Sequence, residues 1–155
     1  MPNPEFAHER RGAAFTINSH AFIDCLRRLQ DDSQTSHPIP FPTFDHSVGD
    51  PVQDGVWVKP QHQVVLVEGL YLLRDAQPWG GLAEILDEGW LLRADIDTAM
   101  GAVVARQVGM GAHEGDARRR VNANDRVNAK EVYSMCRRPD FVVDISGASK
   151  KDETE

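Results

Sequence analysis

Val64, Val65, Leu66 and Val67 form an unbroken apolar run that stops at Glu68 and Gly69. A strand turns successive side chains to opposite faces, so a continuous run of this kind fits a strand covered on both sides, as in a parallel sheet. Gln63–Glu68 is therefore the clearest predicted strand. Val56–Val58, Trp90–Ile96 and Phe141–Ile145 give three further strands, the second ending among Asp95 and Asp97. Helical spacing appears between them. Phe22, Ile23, Leu26 and Leu29 share one face of a helix that Asn18 or Ser19 caps, with Arg27 and Arg28 outside. Leu82–Leu86, Thr98–Val108, Asp116–Val121 and Asn128–Met135 read as helical, with breaks at Gly109, Gly111 and Gly115. Residues 1–15 read as an irregular, proline-led segment. Pro38, Pro40 and Pro42 impose an extended path before a loop over Phe41–Asp50. Strands alternating with helices indicate an α/β layer fold.

The chain has 155 residues, 41% hydrophobic and 26% charged, which suits one globular domain over 1–146. Residues 147–155 form a charged tail expected to be disordered. A net charge of -7 argues against a general nucleic-acid binder. No apolar run approaches a membrane span, and the polar first twelve residues do not form a signal peptide. Cys25 and Cys136 lie far apart without metal-ligand spacing, so reduced thiols in a cytoplasmic protein are expected.

Four segments carry side chains suited to chemistry, and each also has a plainer structural explanation. Glu68 ends a predicted buried strand, where ligands of parallel sheets bind, and its carboxylate suits Mg²⁺; it is equally a solvated strand end. The loop FPTFDHSVGDP offers Thr43, Asp45, His46 and Asp50; Asp45 beside His46 suits hydroxyl binding or proton transfer, or a turn in which Asp45 bonds its own backbone. In HERRGAAF, His8 and the adjacent Arg10 and Arg11 can bind an anion through forked donors, or form a solvated basic turn. Arg106 with Arg118, Arg119 and Arg120 suits a lid over a triphosphate, or a helix face balanced by Glu114 and Asp116. Asn124, Asp125 and Asn128 suit positioning of a base or phosphate, or a helix cap.

The order of these segments resembles the P-loop kinases of the uridine kinase/phosphoribulokinase/pantothenate kinase superfamily. Five motifs carry the resemblance over residues 2–145: PNPEFAHERRGAAFTIN from Pro2, FPTFDHSVGDP from Phe41, VVLVEGLYLL from Val64, LDEGWLLRADID from Leu86, and RRVNANDRVNA from Arg119. The resemblance implies ATP-dependent phosphoryl transfer to a metabolite hydroxyl, with Mg²⁺. It implies Glu68 near the metal, and His8, Arg11, Asp45 and His46 on the acceptor side. Arg106, Arg120, Asn124 and Asn128 fall in the ATP lid.

Departures from the family pattern are large. No GxxxxGK[ST] phosphate loop occurs in the 155 residues. The DGFH-type motif with the family's expected base is also missing, so no catalytic set is intact. Met1 falls where relatives run from that motif into PNPxxAH, as in a chain started internally or a gene piece. Gln107 stands where relatives carry a lid histidine, and Met100 and Ala102 stand where relatives carry basic residues. The expected fold is thus an incomplete P-loop sheet flanked by helices, without its first strand. The expected function is a truncated kinase, inactive alone, that confidently holds neither ATP nor Mg²⁺. The alternative is a non-catalytic module that binds a small metabolite, a second copy or a partner kinase subunit, with no nucleic acid or membrane partner.

Overall fold

A computed structural model describes residues 3–31, 36–45 and 50–146, and for 44–45 and 50–51 the backbone pairing alone. The tail 147–155 lies outside the described residues. The first helix, α1 (Pro4–Glu9), replaces the irregular segment expected there. The Glu5 N–H donates to Asn3 Oδ1 at 3.0 Å, and Pro4 opens the helix. A proline costs little at that position, because its missing N–H would have had no helical partner and its φ is already set. A short 3₁₀ turn, Ala14–Thr16, leads to α2 (Ser19–Gln30). Asn18 Oδ1 caps α2 by accepting from the Ala21 N–H at 3.2 Å. Ile23 and Leu26 are buried, with Phe22 and Leu29 packed beside them, as the spacing predicts.

The proline-rich stretch is a strand rather than a loop. β1 (Ile39–Asp45) pairs antiparallel with β2 (Asp50–Val58), placing Ile39 opposite Val58 and Phe41 opposite Val56. The register shifts between Phe41 and Thr43, at Pro42, which has no N–H to give the ladder. Gly55 allows the strands to close there, since a Cβ on it would fall 2.0 Å from Thr43 Oγ1.

β3 (Trp90–Arg93) and β4 (Phe141–Asp144) pair in parallel, with Trp90 opposite Phe141 and Arg93 opposite Asp144. β3 ends before the predicted Ile96 because Asp95 caps the next helix, α3 (Ile96–Gly109). The Thr98 N–H and hydroxyl each donate to Asp95 Oδ1 at 2.8 Å, and these bonds hold its carboxyl below the ordinary range. Gly111, at φ +96°, turns the chain out of α3. Gly115 does not break helix; it lies inside α4 (Glu114–Arg120). A wide π turn, Val121–Asp125, joins α4 to α5 (Arg126–Ser134).

Two cores result. Ile23, Leu26, Tyr71, Trp79 and Leu82 form the first, where the predicted helix at Leu82–Leu86 is a 3₁₀ turn over Trp79–Glu84. Met100, Val104, Ala117 and Val121 form the second, between α3 and α4.

The largest departure from expectation is Gln63–Glu68. It has no ladder partner among the described residues, and Val64 and Leu66 are 85% and 94% exposed. A strand is defined by its neighbour's backbone, and no described segment lies beside this one to pair with it. Trp90, Leu92, Phe141 and Val142 are also about half exposed, so the small parallel sheet is uncovered.

Two outcomes follow. Leu66→Lys should leave thermal stability unchanged within about 0.5 kcal/mol, as for surface positions, while reducing binding of an apolar dye and concentration-dependent association. A clear loss of stability would mean that Leu66 is buried. Asp144 accepts from the Ser146 N–H at 3.0 Å and from Arg93 Nε and a terminal nitrogen at 3.1 and 2.9 Å, which lower its pKa to about 2. Because the folded value lies below the unfolded one, its contribution is present above the ordinary carboxylate pKa and is lost as pH falls toward about 2. Carboxyl NMR titration checks this, and a midpoint near the ordinary value would remove the Ser146 and Arg93 bonds.

Candidate functional site

The N-terminal segment is held against the α4–α5 helix by a buried polar junction. Arg10, the C-cap residue of α1, turns its guanidinium into this junction, while Pro4, Glu5, His8 and Glu9 line a depression on the helix. Arg10 Nε donates to Asn124 Oδ1, and a terminal guanidinium nitrogen donates to Asn128 Oδ1, each at 3.0 Å. Both asparagines are almost wholly buried, at 4% and 3% exposure. A guanidinium has only donors, so both amides must present oxygen to it. Their nitrogens then point elsewhere: Asn124 Nδ2 donates to the Arg11 carbonyl at 2.9 Å, and Asn128 Nδ2 approaches Asn124 Oδ1 at 3.5 Å.

Further bonds fix the turn that follows Arg11. Gly12 adopts φ +94°, a conformation costly for any residue with a Cβ. Its N–H donates to Thr16 Oγ1 at 3.1 Å, and that hydroxyl donates to the Ala13 carbonyl at 2.8 Å. The Gly12 carbonyl accepts from the Tyr71 hydroxyl at 3.0 Å. Burial, reinforced by the Glu131 carboxylate, pushes the Tyr71 phenol above its ordinary pKa, so it remains a donor. Arg74 lies over the Tyr71 ring at 5.9 Å and pairs with Glu131 on α5. The His8–Gly12 segment is thus tied to α5 by two routes, directly through Arg10 and indirectly through Tyr71 and Arg74.

The predicted residues do not converge on one place. His8 and Arg11 are exposed near the end of α1. Arg106 and Arg120 are exposed at the ends of α3 and α4. Asn124 and Asn128, expected beside them in a lid, are instead committed to Arg10 and the Arg11 carbonyl. Glu68 is exposed on the unpaired segment. Asp45 ends β1, with only its backbone pairing described, and His46 lies outside the described residues.

Motif reading offers Arg10 only as an anion binder beside Arg11 and does not single out Tyr71; the structure gives both a part in the junction, Arg10 on two asparagine oxygens and Tyr71 on the Gly12 carbonyl. A separate cavity of about 110 Å³ lies between α3 and the π turn, lined by Asp97, Arg118 and Arg126, where Arg126 pairs with Asp97 at 2.5 Å. Among the described residues, no group of three or more His, Cys, Asp or Glu side chains converges as a metal site would require. Cys25 and Cys136 are both free thiols, and no described helix is long and apolar enough to cross a membrane.

No family model matches the chain. It is 36% identical over 135 residues to an ATP-dependent kinase-like protein of Aspergillus versicolor, covering 85% of this chain and 78% of that protein. A candidate uridine kinase of Schizosaccharomyces pombe is 32% identical over 143 residues, covering 91% of this chain and 60% of that protein. Among solved structures, a candidate fructose transport system kinase from Silicibacter superposes with a TM-score of 0.83 at 25% identity, covering 90% of this chain and 66% of that one. The α/β fold is therefore a partial P-loop kinase fold, and the described strands and helices occupy about two thirds of that neighbour. On these likenesses, the chain belongs to the P-loop ATP-dependent kinase family of the uridine kinase type.

Proposed function

We propose that these 155 residues form the acceptor-binding and lid portion of an ATP-dependent small-molecule kinase and do not hold ATP by themselves. The reaction assigned to the family is attack of a metabolite hydroxyl on the γ-phosphorus of ATP, with ADP as leaving group and the hydroxyl proton passing to a base. The observation that carries the reading is the Val64–Glu68 segment, which has no ladder partner among the described residues and exposes Val64, Leu66 and Glu68, in a sequence without GxxxxGK[ST]. Phosphoryl transfer depends on electrostatic grip, and a phosphate loop supplies it through a nest of backbone N–H groups and a lysine. Arg106 and Arg120 offer charge to phosphates but no enclosing cradle.

Glu68 supplies one hard carboxylate, which suits Mg²⁺ only where phosphate oxygens and waters complete the octahedron. Within these residues alone the fit fails, because no group of three or more His, Cys, Asp or Glu side chains gathers around a metal position among the described residues. His8 and Arg11, with Asp45 and His46, are assigned to the acceptor: an imidazole and a guanidinium suit hydroxyl and carbonyl oxygens. The names of the relatives bring a nucleoside and a sugar into consideration, uridine and fructose being the two to test.

A second reading is favoured by the double tie that holds His8–Gly12 through the chain's own side chains. On that reading the chain is a non-catalytic module that binds a small metabolite or a partner kinase subunit. Both readings place the chain in the cytoplasm, in keeping with its free cysteines.

Calorimetric titration of the folded chain with ATP and Mg²⁺ is the test. The expected outcome is no measurable heat. Micromolar binding would overturn the claim that these residues alone lack a phosphate grip. Uridine and fructose titrations then address the acceptor side, and heat with either, lost in Arg11→Ala, supports it.

A further inference from the structure

We propose that Arg10 is a positioning residue, whose forked bonds to Asn124 and Asn128 set how His8 and Arg11 are presented to a ligand. The inference rests on the reading above in taking His8 and Arg11 as acceptor-side groups; the mechanical link itself does not.

Three features single out Arg10 among the chain's arginines. It makes side-chain bonds to two buried amides more than 110 residues away in sequence, Asn124 and Asn128. It is the C-cap residue that directly follows α1, so its guanidinium holds the end of the helix that carries the exposed His8. Its partners also flank the end of the π turn, where a helix departs from α geometry, and such turns recur at functional sites. Val121, at the start of that turn, belongs to the second core, while Asn124 and Asn128 face Arg10 and Val132 packs on the first core. The helix thereby joins α3 to the N-terminal segment.

The bonds also specify the residue type. A lysine is a point donor and reaches one amide oxygen where the planar fork reaches two. Loss of the fork takes the Arg10 donor from the buried Asn128 oxygen and leaves the Asn124 oxygen only the long contact from Asn128, which penalises the docked position of α1 and favours an undocked one. Asp125 Oδ2, next to Asn124, is already buried without a hydrogen-bond partner among the described residues, so little polar compensation is at hand.

The test uses the full 155-residue chain and the variants Arg10→Lys, Arg10→Met and Val104→Ala. The last lowers stability through the second core and leaves the fork intact. Amide exchange is followed at Ala7, Arg10, Ala13 and Thr16, which bond within the N-terminal segment, and at Ala99 in α3 as reference. The His8 ring resonances report its presentation. Both Arg10 variants should speed exchange of the four amides by about tenfold or more relative to Ala99, and shift the His8 resonances, whereas Val104→Ala does neither. Arg10→Lys keeps the test open if Arg10→Met does not fold. Unchanged exchange and resonances in Arg10→Lys would overturn the proposal. The same changes in Val104→Ala would also overturn it, by showing that they follow general stability. Uridine and fructose titrations, read at the His8 ring of the wild-type chain, separate the two ideas: no response to either removes the acceptor role, while the exchange result decides the fork independently.

Discussion

A guanidinium in a protein interior has five donors to satisfy and nothing to accept with, so it can be buried only where acceptors have been arranged around it. Arg10, half-buried, places two of its donors on asparagine oxygens, and that arrangement organises much of the molecule. Both asparagines must turn their oxygens to one point, which directs the Asn124 amide nitrogen to the Arg11 carbonyl. The backbone at Arg11 and Gly12 is then fixed from one side by Asn124 of the π turn and from the other by Tyr71. Tyr71 is itself a member of the first core. A polar junction and an apolar core therefore share a wall, and the N-terminal segment cannot shift without disturbing both.

The parts of the fold legible in the sequence were those whose signal is local. The α2 stripe with its Asn18 cap, the α3 stripe and the two strands Trp90–Arg93 and Phe141–Asp144 lie where periodicity places them. Competing local signals account for the errors. Residues 1–15 read as irregular and proline-led, although Pro4 after Asn3 starts a helix. Pro38, Pro40 and Pro42 imply an extended path into a loop over Phe41–Asp50, whereas an edge strand runs through Pro40 and Pro42 with a register shift. Gly115 was read as a break, although its neighbours form a helix on either side. Val64–Val67 carried the strongest strand pattern and has no strand, because pairing is a property of two segments and periodicity reports on one.

The site was legible in a different way. Motif order, rather than any single residue, identified the family, and the relatives bear it out. Individual roles are harder to read, since Arg10 and Arg11 are chemically identical in sequence, while in the structure Arg10 is half-buried on two asparagines and Arg11 is exposed. Asn124 and Asn128 likewise look suited to a ligand by composition and prove to be occupied by the chain itself.

The π turn over Val121–Asp125 has a consequence for how this segment tolerates change in length. Removing one residue there would restore ordinary helical phase and swing everything downstream by about 100° around the helix axis. Asn128 would leave Arg10, and Glu131 would leave Arg74, although every side chain involved were still present. Conservative substitutions within Val121–Asp125 are thus milder than a single deletion, and the spacing between Val121 and Asn128 carries as much structural information as the residues themselves.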